Sequence, residues 1–404
     1  MSGDVLLRAI DQYPTPFYLF DEGELHRQVA HLRSLLSPQI ELCYAMKANS
    51  FVLQQAARDV ERIEVCSPGE AYTCFELGIP DEKIVISGVH KDVAFIGETV
   101  CAHPGIARYT VESRAQFDLL CQAAHEAGRP ISILMRLTSG NQFGIAADEV
   151  VELARRCKEE PLVEFCGIQH YSGTQKTSSK RIGRELRGID RLIARLWEEC
   201  GVRVAELEYG PGLPVSYYEP AEVARAEQDE LIAALDGLLA DMDFDGKVAL
   251  ELGRGMVASC GTYATGIVDT KSNETGNYAI VDGGKHQFVY YGNAMSMRQP
   301  PCALIPERID GTPAPWNICG SLCTVTDIMV KQLEVCEPRV GDVLCFGRAG
   351  AYCMTEGISL FLSRDLPAVV MCDTEGNLRL VRKRLESWSL NSPTIVNGQI
   401  ELSE

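Results

Sequence analysis

Glu41-Leu-Cys-Tyr-Ala-Met-Lys47-Ala48 is an apolar run that closes on a single lysine. Its length and its aromatic and small apolar content suit a strand buried on both faces. The same rhythm continues outward in both directions. PFYLFD (16–21) precedes it as a strand, followed by the helix-like GELHRQVAHLRSLL. Downstream, RIEVCS (62–67), KIVISG (83–88), IARYTV (106–111), ISILMRL (131–137), EFCGIQH (164–170), AELEYG (205–210) and KVALELG (247–253) read as further strands. Amphipathic stretches such as SPGEAYTCFELG, ESRAQFDLLCQAAHEAG and RELRGIDRLIARLWEECG separate them, with apolar residues at helical spacing. Strands that alternate with helices at least eight times predict an α/β fold built as an eightfold β/α barrel.

Beyond about residue 262 the rhythm changes. YATGIVDTK, YAIVDGG, HQFVYY, VTDIMVKQLEV, GDVLCFG and PAVVMCD read as strands separated mainly by turns, with NETGN and DGTPAP as the clearest loops. A second, C-terminal β domain is therefore expected, a β-sandwich or β-barrel, ending in the short polar tail NSPTIVNGQIELSE.

Composition narrows the function. Of 404 residues, 46% are hydrophobic and 23% charged, ordinary values for a globular chain. Thirty-eight basic against 56 acidic residues leave a formal charge of −18, which repels phosphate backbones and argues against nucleic-acid or anionic-membrane partners. A small anion can still enter a locally basic pocket. Sixteen cysteines lie singly in apolar runs without a Cys-x-x-Cys pair, the usage of reduced thiols in a cytoplasmic protein. No signal sequence, no 18-residue apolar span and no His-Glu-x-x-His set is present, so neither secretion, membrane insertion nor a metal centre is expected.

Chemistry gathers at strand ends, where barrel active sites form. Lys47 ends one strand; a desolvated lysine there can form a Schiff base with a carbonyl, or it can be a structural lysine paired with a carboxylate. Arg136 ends ISILM, His170 ends EFCGIQ, Gly210-Pro211-Gly212 follows AELEY, and Glu251 with Arg254 follows KVAL. A glycine turn can offer N–H groups to a phosphate, and Arg254 can neutralise it. Cys323, in CGSLCTVTD (319–327), reads either as a buried thiol or as a proton donor.

In order, YAMKAN, VCSPGE, NQFGI (141–145), HYSGTQ (170–175), GPG (210–212), ELGR (251–254), VDGG (281–284), CGSLCTVTD and GAY (350–352) resemble the fold-type III pyridoxal-phosphate decarboxylases, which include the diaminopimelate, ornithine and arginine enzymes. The resemblance implies an alanine-racemase-like barrel over residues 28–261 that binds pyridoxal 5'-phosphate, with residues 1–27 and 262–404 forming the β domain. It implies that Lys47 holds the cofactor as a Schiff base, His170 stacks on its ring and Glu251 pairs with the pyridine nitrogen. Arg136, Gly210, Gly212, Arg254 and Tyr352 would complete the cofactor site. Family members are usually head-to-tail homodimers, so Cys323 would reach the partner subunit's centre and protonate the product. The implied activity is loss of an α-carboxylate as CO2 from an amino acid.

Departures from the family bear on the substrate. Diaminopimelate decarboxylases carry Cys-Glu-Ser-Gly-Asp where this chain has Cys323-Thr324-Val325-Thr326-Asp327, so the acid for a distal amino group is replaced by Thr324. Their downstream arginine has no counterpart in Asp282–Tyr290, where Lys285, His286 or Tyr290 would contact substrate instead. Phe361 stands near a position where many relatives place a phosphate-binding tyrosine, and a phenyl ring donates no hydrogen bond. These features resemble a branch of secondary metabolism that acts on siderophore intermediates or amino acids on carrier proteins. The alternatives are diaminopimelate decarboxylation in lysine biosynthesis, amino-acid racemisation, for which Tyr263 lacks the matching context, and a regulator that has lost catalysis.

Overall fold

The computed structural model describes residues 3–290, 298–308, 311–393, 395–396 and 399–400, so most of the NGQIELSE tail and Tyr291 of HQFVYY lie outside it. The chain forms two compact units: His26–Val215 with Arg225–Met256, and Met1–Leu25 with Ser216–Ala224 and Val257–Glu404.

The first strand, β1 (Phe17–Asp21), belongs to the second unit, and the next eight close into a barrel. These are β2 (Glu41–Ala45), β3 (Arg62–Val65), β4 (Ile84–Ile86), β5 (Arg108–Val111), β6 (Ile131–Leu137), β7 (Val163–Tyr171), β8 (Glu206–Gly210) and β9 (Lys247–Leu252). All eight pairings are parallel, and β9 returns to β2 with Cys43 opposite Glu251. The expected eightfold barrel is thus the fold of this unit. Its helices start where the sequence supplies caps: Ser67, Asp92, Ser113 and Ser178 accept the N–H of the residue three places on. Glu70 supports the same cap from the other side, its carboxylate taking the N–H of Cys66, the residue before the cap, at 2.6 Å.

The interior of the strand ring is not wholly apolar. Arg62 pairs with Glu206 and lies 2.8 Å from Glu41, while Arg108 reaches Glu206 at 2.7 Å. Glu208, fully buried, accepts from Gln169 Nε2 at 2.6 Å and sits 4.0 Å from Arg62.

The second unit is built on one mostly antiparallel sheet of nine strands. To β1 it adds β10 (Gly261–Asn273), β11 (Gly276–Val281), β12 (Cys302–Ile305), β13 (Ala314–Cys319), β14 (Ile328–Val335), β15 (Val343–Phe346), β16 (Ala368–Cys372) and β17 (Leu378–Arg382). The order is β14-β13-β11-β10-β1-β16-β17, with β15 joining β10 to β12. Phe17 faces Ala264 on one side and Ala368 on the other. Phe17, Leu19, Val343 and Val370 pack with Val5 and Ala9 of the helix Gly3–Gln12. NETGN is the β10–β11 hairpin turn, as expected. HQFVYY is not a strand within its described residues: the N–H groups of Gln287 and Phe288 turn back onto the Gly284 carbonyl, and Gly284 has a φ of +156°.

Candidate active site

Lys47 leaves β2 on a single 3-10 turn, Met46–Ala48, which is braced by a 2.8 Å hydrogen bond from the Tyr44 hydroxyl to the Asn49 carbonyl. Its Nζ lies 2.6 Å from Glu64 Oε2 and 3.4 Å from Glu251 Oε1, and 3.6 Å from the Cys66 thiol. Burial alone would discharge the amine, but the two carboxylates outweigh it and hold Lys47 as an ammonium. Glu64 is held below the usual carboxylate range: its burial acts upward, and the Lys47 charge and hydrogen bond overcome it. Glu251 is pushed the other way, by burial first and by repulsion from Glu64 next. One cation therefore serves two buried acids, and these share a hydrogen bond with each other.

Arg136 is ion-paired to Glu112 at 3.1 Å, and the same carboxylate accepts the Gly144 N–H at 3.2 Å. The NQFGI segment is fastened to the barrel in this way. Arg254 follows β9 and is buried. At Gly212, which has a φ of +61°, an added Cβ would stand 2.0 Å from the Gly173 carbonyl oxygen; at Gly210 it would stand 2.6 Å from the Tyr171 ring. Two glycine turns thus approach each other more closely than any side chain permits. Lys176 ties them together, its N–H donating to Gly212 O at 3.0 Å and its Nζ meeting Glu185 at 2.9 Å.

His170 does not join the lysine. Its Nδ1 lies 3.0 Å from the Leu137 carbonyl, its ring is parallel to Tyr209 with centroids 6.2 Å apart, and burial lowers its basicity. The next residue of β7 points the opposite way, as strand geometry requires. Tyr171 packs against Gly210, and its hydroxyl is pushed up by burial and by Glu251, with Lys47 and Arg254 acting against them. The ring turned toward the Lys47–Glu251 centre is therefore Tyr171. Sequence reading missed it, together with Glu64; a carboxylate inside the apolar run RIEVCS was the available signal for the latter.

In the sheet unit, Cys323 is exposed, on a turn organised by Asp327. The Asp327 carboxylate accepts the N–H groups of Lys285 (2.8 Å) and Leu322 (2.9 Å). Beside it lies a cavity of about 340 Å³ whose lining includes Lys285, Leu322, Thr324, Thr326, Glu356 and Ile358. Thr324 and Lys285 thus share one cavity. Tyr290 is buried and its hydroxyl donates to the Gly347 carbonyl, and His286 is fully buried and pushed down to about 4 by desolvation. Neither lines that cavity. Tyr352 is partly buried at a φ of +62°, and Phe361 is exposed. None of the sixteen cysteines is in a disulfide, and ten of them are buried.

A family model described as "Pyridoxal-dependent decarboxylase, pyridoxal binding domain" matches residues 22–258. The L-glutamyl-[BtrI acyl-carrier protein] decarboxylase of Niallia circulans is 24% identical, over 92% of each chain. The diaminopimelate decarboxylase of Vibrio cholerae is 28% identical, over 95% of this chain and 94% of that one. Among solved structures, diaminopimelate decarboxylase from M. jannaschii in complex with L-lysine superposes with a TM-score of 0.84 at 22% identity, covering 97% of this chain and 94% of that chain. That likeness concerns the fold. No helix among the described residues is long and apolar enough to cross a membrane.

The barrel residues fit the cofactor that this family uses. An amine stands at a strand end, a buried acid stands 3.4 Å from it, the turns at Gly210 and Gly212 exclude side chains, and a buried arginine, Arg254, follows β9.

Proposed function

We propose, for a chain that belongs to the fold-type III pyridoxal-phosphate decarboxylases and is a pyridoxal-phosphate-dependent amino-acid decarboxylase of the diaminopimelate and ornithine type, that the substrate is an aminoacyl group carried on a larger conjugate, in the first instance a carrier protein. The carrying observation is the turn after Cys323. Thr324 is uncharged, and Asp327, although it lines the cavity, has one carboxylate oxygen taken by the Leu322 N–H of its own turn and the other by the N–H of Lys285, so it is committed to holding the loop rather than to a distal ammonium. A substrate whose distal end is already esterified or amidated needs no such partner. The glutamyl-carrier enzyme among the relatives supports the same reading. A specific feature favours diaminopimelate as the second reading, because Lys285 and Glu356 both line the cavity and offer one charge of each sign.

Bound pyridoxal phosphate supplies an electron sink for the pair left when CO2 departs. The chain's own groups set the conditions. Lys47 Nζ is the attachment point; Glu64 Oε2, 2.6 Å away, and Glu251 hold and orient it as an ammonium, whose proton must leave before the amine can act as a nucleophile. Glu251 would receive the pyridine N–H, Arg254 and the turns at Gly173 and Gly210–Gly212 would hold the phosphate, and Tyr171 would lie against the ring in place of His170. Arg136 holds the NQFGI segment through Glu112. Cys323, exposed on its turn, returns a proton to the product carbon in the partner subunit of a head-to-tail dimer.

The test is CO2 release from a panel of glutamyl-carrier protein, meso-diaminopimelate, ornithine, lysine and citryl-diamino-acid conjugates. The proposal expects a conjugate to be turned over fastest. Preference for meso-diaminopimelate would overturn it and install the second reading.

A further inference from the structure

The helix Ser179–Cys200 carries six cations and four acids on a chain whose formal charge is −18. The cations are not spread evenly. Arg181 pairs with Glu185 at 3.1 Å, and Arg195 with Glu199 and Asp148 at 2.9 Å each. Lys180, Arg184, Arg187 and Arg191 form no ion pair among the described residues, although all four are exposed. Their spacing is i, i+4, i+7 and i+11. At 3.6 residues per turn these positions fall within an arc of about 60° and run for roughly 16 Å along one face.

This stripe borders a groove. Between Ser179–Cys200 and the helix Ala221–Ala240 lies a depression of about 920 Å³, lined by Lys180, Arg184, Arg187, Gly183, Leu238 and Asp241 among others. Glycine keeps its floor low: a Cβ at Gly183 would already meet Leu238 at 3.1 Å, and at Gly237 it would face open space. The position of the stripe matters as much as its sign. Lys180 comes nine residues after Tyr171, so the helix rises from the barrel rim on which Lys47 and Glu251 sit, the C-terminal face of a β/α barrel.

We infer that this stripe and groove are the docking surface for the acidic helix of a carrier protein that presents the aminoacyl substrate to the barrel rim. The inference rests on the carrier-linked reading given above and adds where the carrier binds. An overall acidic enzyme repels an acidic partner, and a local row of uncompensated cations is what steers such a partner to one face. A partner helix with carboxylates at i, i+4 and i+7 matches the row in register. Asp241 at the groove's edge sets one repulsive position and so limits which orientation fits.

The experiment uses the cofactor-loaded enzyme and its K180E/R184E/R187E variant, with glutamyl-loaded acyl carrier protein as probe and the same glutamyl group on free pantetheine as the small substrate. Expected is a loss of roughly ten- to a hundredfold in kcat/KM for the carrier-linked substrate, mostly in KM, with turnover of the pantetheine substrate unchanged. Raising the salt concentration should weaken the parent enzyme toward the variant. Turnover of the carrier-linked substrate by both proteins at equal efficiency would overturn the docking surface and leave the carrier reading standing. Failure of the parent on carrier and pantetheine substrates alike would overturn both. Binding of a short single-stranded RNA as tightly as the carrier, and its loss in the variant, would also overturn it, because the stripe would then be a general polyanion site. Gel filtration of the variant checks that assembly is unaltered.

Discussion

Replacing Glu208 with glutamine should stabilise the protein, and should do so only above a definite pH. Glu208 is fully buried in the barrel, with Gln169 as its hydrogen-bond donor and its Oε2 atom, 4.0 Å from Arg62, accepting no hydrogen bond. Burial, followed by repulsion from Glu64, pushes its carboxyl up to about 7. In the unfolded chain it titrates near 4.5. The folded state thus holds a proton that the unfolded state has released, so stability declines as pH rises from about 4.5 through about 7. At about 1.4 kcal/mol per tenfold displacement, the cost at pH 8 approaches roughly 3 kcal/mol, an upper limit because water and neighbouring groups relax. Glu208→Gln removes the titration and retains the bond from Gln169 Nε2. Its new amide can also donate to Gln169 Oε1, another buried atom without a partner. Urea unfolding of parent and variant at pH 5 and pH 8 gives the double difference. The variant should gain about 2–3 kcal/mol at pH 8 relative to its difference at pH 5. A double difference of zero, or a variant less stable at pH 8, would refute the assignment of a proton to this buried carboxyl.

Other outcomes follow from the same geometry. Arg62→Met leaves Glu206 and Glu208 without their buried cation and should cost about 3–5 kcal/mol in urea melts, although Arg108 still reaches Glu206 at 2.7 Å. Tyr171→Phe should retain cofactor affinity, whereas Tyr171→Ala should lose roughly tenfold, as measured by fluorescence titration with pyridoxal phosphate; His170→Ala should change that affinity little. Gly212→Ala forces a Cβ to 2.0 Å from the Gly173 oxygen and should lower the melting temperature and the retention of cofactor on dialysis together.

The barrel was legible because most residues of its strands are buried, so that each reads as a short apolar run, with a capped amphipathic helix between most of them. The charged network within it was harder to read. One acid in RIEVCS or AELEYG looks like a solvent-facing strand residue, whereas Glu64, Glu206 and Glu208 are all buried and face cations from other strands or, for Glu208, a glutamine. Parity decided the ring partner. His170 and Tyr171 differ by one position, and in a strand one position is a change of face. In the sheet unit, β12, β13 and β17 went unread because edge and partly exposed strands carry too little apolar patterning. HQFVYY failed for the converse reason: its apolar residues are buried by a turn at Gly284 rather than by strand pairing.

The most direct test of the active-site assignment is to reduce the cofactor-loaded enzyme with borohydride and map the modified peptide by mass spectrometry. The account predicts a pyridoxyl group on Lys47, between Glu64 and Glu251, and its absence from Lys47→Ala. The barrel offers an internal control in Lys91, a buried lysine whose basicity is lowered to about 8 by burial and whose Nζ donates to the Gly88 carbonyl at 2.9 Å. Label on Lys91 in the parent enzyme, or label retained in Lys47→Ala, would contradict the placement of the chemistry at the end of β2.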